Sequence, residues 1–197
     1  IYVRSGLYKT LALPGVPGIE AVGIVEETGS EVTLVKPGDR VTYISSDYGA
    51  YADERLIDER LLIPVPESVD PKVAACMMVR GLTARILLHE VFPVNESHTI
   101  LVHAASGGVG RLLCQWAKHL GATVIGTVGN EEKAATARAL GCAHTILYRE
   151  QNFVEVVKEL TRGEGVDVVY DSVGKDTFAG SLACLKPLGH LVNFGQS

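Results

Sequence analysis

The residues best suited to chemistry are a run of small side chains, Ala104-Ala105-Ser106-Gly107-Gly108-Val109-Gly110. The run fits the spacing GxGxxG with Ala105 in the first glycine place. Each small residue has a physical task. Gly107 lacks a β-carbon, so backbone can approach a pyrophosphate closely, and Gly110 lets a helix pack tightly on the preceding strand. The start of that helix then offers free N–H groups and a partial positive charge to phosphates. A lone GxGxxG is weak, and a tight strand-to-helix turn without a ligand is the competing reading; context decides. Here Thr99–His103 reads as a strand directly before the run, and Gly110–Leu120 as a helix after it, striped by Leu112, Leu113, Trp116, Ala117 and Leu120. The expectation is therefore a nicotinamide dinucleotide site.

The next strand decides which dinucleotide. NAD-binding units place an Asp or Glu at its end to hold the ribose 2′-hydroxyl. The end of the strand Thr123–Val128 is followed instead by Gly129 and Asn130. An acid there would repel a 2′-phosphate, so its absence favours NADPH, and Lys133 one turn on can supply positive charge. Glu131 and Glu132 weigh mildly the other way unless they serve the helix start, and Lys133 also reads as a solvated surface lysine.

Elements that could hold these residues follow from periodicity. The first eighty residues read as β-rich: strands at Glu20–Glu27 and Val41–Ile44 around a Pro37-Gly38 turn, weak alternation over Gly49–Ile57, and a linker-like loop at Pro64 and Pro66. Lys72–Val79 and Leu82–His89 read as two helical stretches. Strands and helices then alternate: helix Glu131–Leu140 stopped by Gly141, strand His144–Tyr148, a helix striped by Phe153, Val156, Val157 and Leu160, strand Val166–Tyr170, helix Thr177–Leu185 and strand His190–Phe194. That alternation predicts an α/β fold with a Rossmann doubly wound parallel sheet.

Composition narrows the class. With 197 residues and 47% hydrophobic side chains, one or two folded domains are expected. A net charge of −5 gives no footprint for nucleic acid, and no charge-free apolar run is long enough for a bilayer, so neither is expected as a partner. Cys76, Cys114, Cys142 and Cys184 are scattered, without zinc-knot or CxxC spacing, which suits a reducing, cytoplasmic setting. The chain opens at Ile1 and stops at Ser197 straight after an apolar strand; both ends are read as cut.

Several stretches carry a resemblance: Ala105–Gly110, Gly126-Thr127-Val128-Gly129 with Lys133, Tyr170-Asp171-Ser172-Val173-Gly174, Tyr2-Val3-Arg4-Ser5-Gly6-Leu7-Tyr8, Pro17-Gly18-Ile19-Glu20, Gly38–Val41 and Gly81-Leu82-Thr83-Ala84. Together they resemble the zinc-free quinone oxidoreductases, the zeta-crystallin-like branch of the medium-chain dehydrogenase/reductase superfamily, over essentially the whole chain. The resemblance implies a partial GroES-like β-rich catalytic domain at 1–80, lacking its first strands, and a Rossmann dinucleotide-binding domain at 81–197, lacking its last strand. It implies an enzyme, an NADPH:quinone oxidoreductase acting on a small-molecule quinone or conjugated carbonyl. An enone or enoyl-thioester reductase, or a dinucleotide-binding crystallin-like protein without turnover, are the alternatives.

Site residues carry over by position. Tyr2 and Tyr8 resemble the catalytic aromatics near the nicotinamide, although aromatic core packing is the plain alternative, above all for Tyr8. Ser106, Gly107, Gly108 and Val109 resemble the pyrophosphate loop; Gly129, Lys133 and Tyr148 the 2′-phosphate pocket; Phe194, Gly195 and Gln196 the loop beside the nicotinamide; Thr83 a further cofactor contact. No metal is expected, because Ile19 stands where zinc-dependent relatives carry a histidine ligand and cannot ligate. His103 reads as structural, and Asp171 and Ser172 as strand-end residues that no histidine organises. The resemblance further implies a homodimer formed through a sixth strand, and the native protein is expected to extend beyond both ends.

Overall fold

The computed structural model describes residues 2–196. The chain divides into two compact units, Ile1–Val79 and Arg80–Ser197.

In the first unit, β1 (Glu20–Ile24), β2 (Arg40–Ile44) and β3 (Ile63–Pro64) form an antiparallel sheet in that order. Pro37 and Gly38 make the turn between β1 and β2; Gly38 sits at φ +91 and its N–H donates to the Val25 carbonyl at 2.8 Å. The Pro64–Pro66 stretch, expected to be a linker-like loop, contributes β3 instead: Ile63 and Pro64 stand opposite Thr42 and Val41. Proline is tolerated there because β3 lies at the sheet edge, where its missing N–H breaks no ladder. Residues 49–57 form no strand.

The two helical stretches expected before the first Rossmann strand are one helix, α1 (Pro71–Arg85), running through Gly81. Asp70 caps its start, its carboxylate accepting from the Lys72 and Val73 N–H groups at 2.8 and 3.3 Å. Beyond it the chain widens into a π turn at Ile86–Val91. The widening has a cause in the second unit's core: the buried Tyr170 hydroxyl donates to the Leu87 carbonyl at 3.0 Å, and the Phe92 N–H reaches back to the same carbonyl.

The second unit holds five parallel strands: β4 (Thr99–Val102), β5 (Thr123–Val128), β6 (His144–Leu147), β7 (Val166–Asp171) and β8 (Leu185–Asn193). Their order is β6-β5-β4-β7-β8. The helices between them are α2 (Gly108–His119), α3 (Glu131–Ala139), α4 (Phe153–Leu160) and α5 (Phe178–Ala183). Side chains alternate across each strand. Ile100 and Val102 join Val124, Val168 and Tyr170 in one core, with Leu113 and Ala117 of α2 and Ala134 of α3. Leu101 joins Ile125, Ile146 and Val169 in the other, with Val157 of α4. Two buried faces make the sheet doubly wound, as the alternating strands and helices predict. The last strand begins earlier than its apolar run suggests: Leu185 pairs with Val166, then the register slips, and His190 pairs with Val168. Leu188 takes φ +64 at this irregularity and is 97% exposed.

Candidate active site

Strand order reverses between β4 and β7, so a crevice opens at their carboxyl ends. The glycine-rich run leaves β4 at this point. Gly107 caps α2 with extended backbone, and its N–H closes a tight turn onto the Ala104 carbonyl at 2.8 Å. A β-carbon on Gly110 would fall 2.3 Å from that carbonyl oxygen, and one on Gly107 3.0 Å from it. Neither position therefore accepts a side chain without shifting backbone. Ala105, in the first glycine place, is tolerated because Gly126 of β5 leaves room: a β-carbon there would lie 2.7 Å from the Ala105 methyl. Helix α2 begins at Gly108, two residues before the expected Gly110, so the N–H groups of Gly108, Val109 and Gly110 form its unpaired first turn. Arg111 steadies the approach, its Nε donating to the Ser106 carbonyl at 2.7 Å. This turn fits a pyrophosphate: it presents backbone donors, and no side chain of its two tight glycines obstructs them.

At the end of β5, Asn130 caps α3 by accepting from the Lys133 N–H at 2.9 Å. Glu131, weighed above as an acid opposing a 2′-phosphate, is held by Arg138 in an ion pair, and Arg138 also donates to Thr145 Oγ1 at 2.8 Å. Gly129 faces the Tyr148 hydroxyl, which would stand 3.2 Å from a β-carbon at that position. The Lys133 side chain is exposed on the first turn of α3. Gly129 and Tyr148 are thus neighbours, with a cation on the element that begins two residues later.

The loops after β7 and β8 run side by side. A β-carbon on Gly195 would lie 3.2 Å from the Ser172 carbonyl, and one on Gly174 3.5 Å from the Gly195 carbonyl. Phe194 donates its N–H to the Asp171 carbonyl at 3.0 Å, and Gln196 ends the described segment. Thr83 lies half-buried on α1, in the turn before Leu87.

Asp171 stands at the end of β7, as expected, and no histidine touches it directly, although His103 reaches it through one serine. The fully buried Asp171 carboxylate accepts from the N–H groups of Val173 and Gly174 at 2.8 and 2.9 Å, from Thr177, and from Ser181 Oγ at 2.9 Å. Ser181 Oγ in turn meets His103 Nε2 at 3.0 Å, and His103 Nδ1 meets Thr127 Oγ1 at 2.9 Å. Ser181 gives its one proton to the carboxylate, so His103 Nε2 must donate and Nδ1 must accept from Thr127. Burial lowers the affinity of His103 for a second proton. Burial alone would raise the Asp171 carboxyl, but its hydrogen bonds from Gly174, Thr177, Val173 and Ser181 outweigh that and hold it below the usual carboxylate range. The chain Asp171–Ser181–His103–Thr127 ties the ends of β7, β4 and β5 together beneath the loops that follow them. All four side chains are buried, so the network positions rather than reacts, in line with a structural role for His103. Ser181 gave no sequence signal, being one serine in a short helix; its spacing of ten residues from Asp171 acquires meaning only in the fold.

In the other unit, the Tyr2 and Tyr8 rings meet in a tilted contact across a tight turn, centroids 5.2 Å apart at 52°, with the Tyr8 N–H donating to the Tyr2 carbonyl at 3.1 Å. The Glu20 carboxylate accepts from the Val79 N–H at 2.9 Å, and Ile19 offers only an aliphatic side chain. Among the described residues no group of three or more His, Cys, Asp or Glu side chains could hold a metal ion. No described helix is long and apolar enough to cross a membrane.

Comparison with known proteins agrees with this architecture. The zinc-binding dehydrogenase family model matches residues 108–197, and the alcohol dehydrogenase GroES-like domain matches residues 1–67. A 2-haloacrylate reductase of a Burkholderia species is 49% identical, and a quinone oxidoreductase of Pseudomonas aeruginosa 48% identical, each match covering 100% of this chain and 60% of the relative. The crystal structure of an Escherichia coli quinone oxidoreductase complexed with NADPH superposes with a TM-score of 0.95 at 46% identity, over 99% of this chain and 60% of that one. The chain thus spans about 60% of the length of the curated relatives it matches. A switch-point glycine turn on a doubly wound sheet, an antiparallel GroES-like unit, and close to half the residues shared end to end agree: over its whole length the chain is similar to the quinone oxidoreductases of the medium-chain dehydrogenase/reductase superfamily.

Proposed function

We propose that this protein reduces quinones or conjugated carbonyls with NADPH, residues 1–80 serving as the catalytic domain and 81–197 as the dinucleotide-binding domain. The observation that carries the reading is the Ala104–Gly110 turn at the switch point, where a β-carbon on Gly110 would strike backbone at 2.3 Å and the first N–H groups of α2 are unpaired. When bound, the dinucleotide supplies a hydride for an electron-poor acceptor. The chain's own residues do the rest. Ser106, Gly107, Gly108 and Val109 hold the pyrophosphate against the positive end of α2. Gly129, Lys133 and Tyr148 form the pocket for the adenosine 2′-phosphate, Lys133 supplying its positive charge. Phe194, Gly195 and Gln196 guide the nicotinamide end, Thr83 adds a contact, and Tyr2 and Tyr8 are the catalytic aromatics. With Ile19 in place of a metal ligand, the substrate is a group that accepts hydride without Lewis-acid help.

The Burkholderia relative is named for reduction of a 2-haloacrylate, a conjugated acid, which favours a conjugated carbonyl as the second substrate class. A cytoplasmic homodimer is the setting that goes with this reading. Titration of the purified protein with NADPH and NADH, followed by turnover with a panel of quinones and enones, tests it: tighter NADPH binding and acceptor-dependent NADPH oxidation are expected, and absence of dinucleotide binding overturns it.

A further inference from the structure

The geometry points to Arg80 as a further cofactor residue, one whose guanidinium pairs with the dinucleotide pyrophosphate; this rests on the functional reading above. The observation lies at Gly108. The spacing GxGxxG leaves this position open, since close approach of the pyrophosphate falls to Gly107 and helix packing to Gly110. Gly108 is the first residue of α2 and needs no left-handed backbone, so neither conformation nor motif calls for glycine. What a side chain there would meet is Arg80: a β-carbon would fall 2.7 Å from its Nε, 3.0 Å from its Cδ and 3.2 Å from its Cζ, and these are the three nearest atoms. The Arg80 guanidinium therefore lies across the first residue of α2, in the space a side chain would fill.

Charge gives this placement a purpose. The pyrophosphate bridge carries two negative charges. The start of α2 offers roughly half a positive charge, and the first turn of the helix holds no acid. Arg80 adds a full charge in a planar fork that matches phosphate oxygens two at a time. Its side chain is exposed, and among the described residues no carboxylate forms an ion pair with it. Arg111, the other arginine at this turn, commits its Nε to the Ser106 carbonyl and so braces the loop. Arg80 makes no such bond to the loop.

Because NADPH and NADH share the pyrophosphate, loss of Arg80 should weaken both alike, unlike loss of Lys133. The test uses three probes on the purified protein: NADPH, NADH and adenosine 2′-monophosphate, which lacks a pyrophosphate. Arg80→Gln should weaken both dinucleotides by about 10-fold or more, the scale of a lost charged hydrogen bond, and leave adenosine 2′-monophosphate unchanged. Arg80→Lys should restore part of the loss. Gly108→Ala should weaken both dinucleotides in the parent protein and cost little more in the Arg80→Gln background, because the added methyl acts by displacing the guanidinium. Unchanged dinucleotide affinity in Arg80→Gln overturns the inference while leaving the functional reading intact. Equal weakening of adenosine 2′-monophosphate also overturns it, since the effect would then not be at the pyrophosphate. Failure of the parent protein to bind either dinucleotide overturns the functional reading itself.

Discussion

Ser181→Ala should destabilise the second unit by about 2–3 kcal/mol while removing one oxygen atom. Two hydrogen bonds disappear with it: the one donated to the Asp171 carboxylate at 2.9 Å, and the one accepted from His103 Nε2 at 3.0 Å. A bond to a charged group contributes about 1.5–3 kcal/mol and a neutral one about 0.5–1.5. Asp171 keeps its bonds from Val173, Gly174 and Thr177, so its charge stays compensated and the lower end of the first range applies. His103 fares worse, for its ring is 2% exposed and Nε2 is left with a proton and no acceptor. The sequence has a single tryptophan. It is Trp116, on α2, half-buried with its ring centroid 5.1 Å from that of His89, so its fluorescence reports this unit alone. Urea unfolding followed at Trp116 gives the difference in stability. Ser172→Ala serves as the control, because its hydroxyl makes no hydrogen bond among the described residues; it should stay within about 0.5 kcal/mol of the parent. A Ser181→Ala protein within that same margin would refute the claim that the buried chain is continuous and stabilising.

Lys133→Ala should weaken NADPH by about 1–3 kcal/mol and leave NADH nearly unchanged, measured by fluorescence titration. Stability should fall as pH drops below the ordinary histidine value of 6.5: burial lowers the folded-state pKa of His103, so the unfolded chain binds that proton first. Asp171, held low in the folded state, acts in the same direction in the acid range below 3.8, and His103→Gln should flatten urea midpoints between pH 6.5 and about 5. Because Ile19 cannot ligate, elemental analysis should find far less than one zinc per chain and turnover should survive a chelator; stoichiometric zinc with activity lost on its removal contradicts this.

Where periodicity was strong, the fold was legible. Strand Thr123–Val128 matches β5 residue for residue, and the stripe of α2 lands on the core, because apolar spacing reports the buried face directly. Legibility failed where tertiary contacts override local preference. Pro64 reads as a breaker, yet an edge position lets it sit in β3. Lys72–Val79 and Leu82–His89 read as separate stretches, yet α1 joins them and runs on into a π turn set by the Tyr170 hydroxyl, which lies 83 residues away in sequence. Leu185 pairs before a register slip that no local pattern announces. The site divides the same way. The glycine turn shows in the sequence because backbone geometry dictates residue type at fixed spacing. The His103–Ser181 link and the Arg80 placement do not, because each joins residues distant in sequence, 78 apart in the first case.

The most direct test of the function is the rate of reduced-nicotinamide oxidation by the purified protein with a simple benzoquinone as acceptor, run in parallel with NADPH and NADH in the presence of a chelator. Quinone-dependent oxidation with a kcat/KM clearly higher for NADPH is the expected result. No quinone-dependent oxidation, or an equal kcat/KM for the two cofactors, would contradict the assignment.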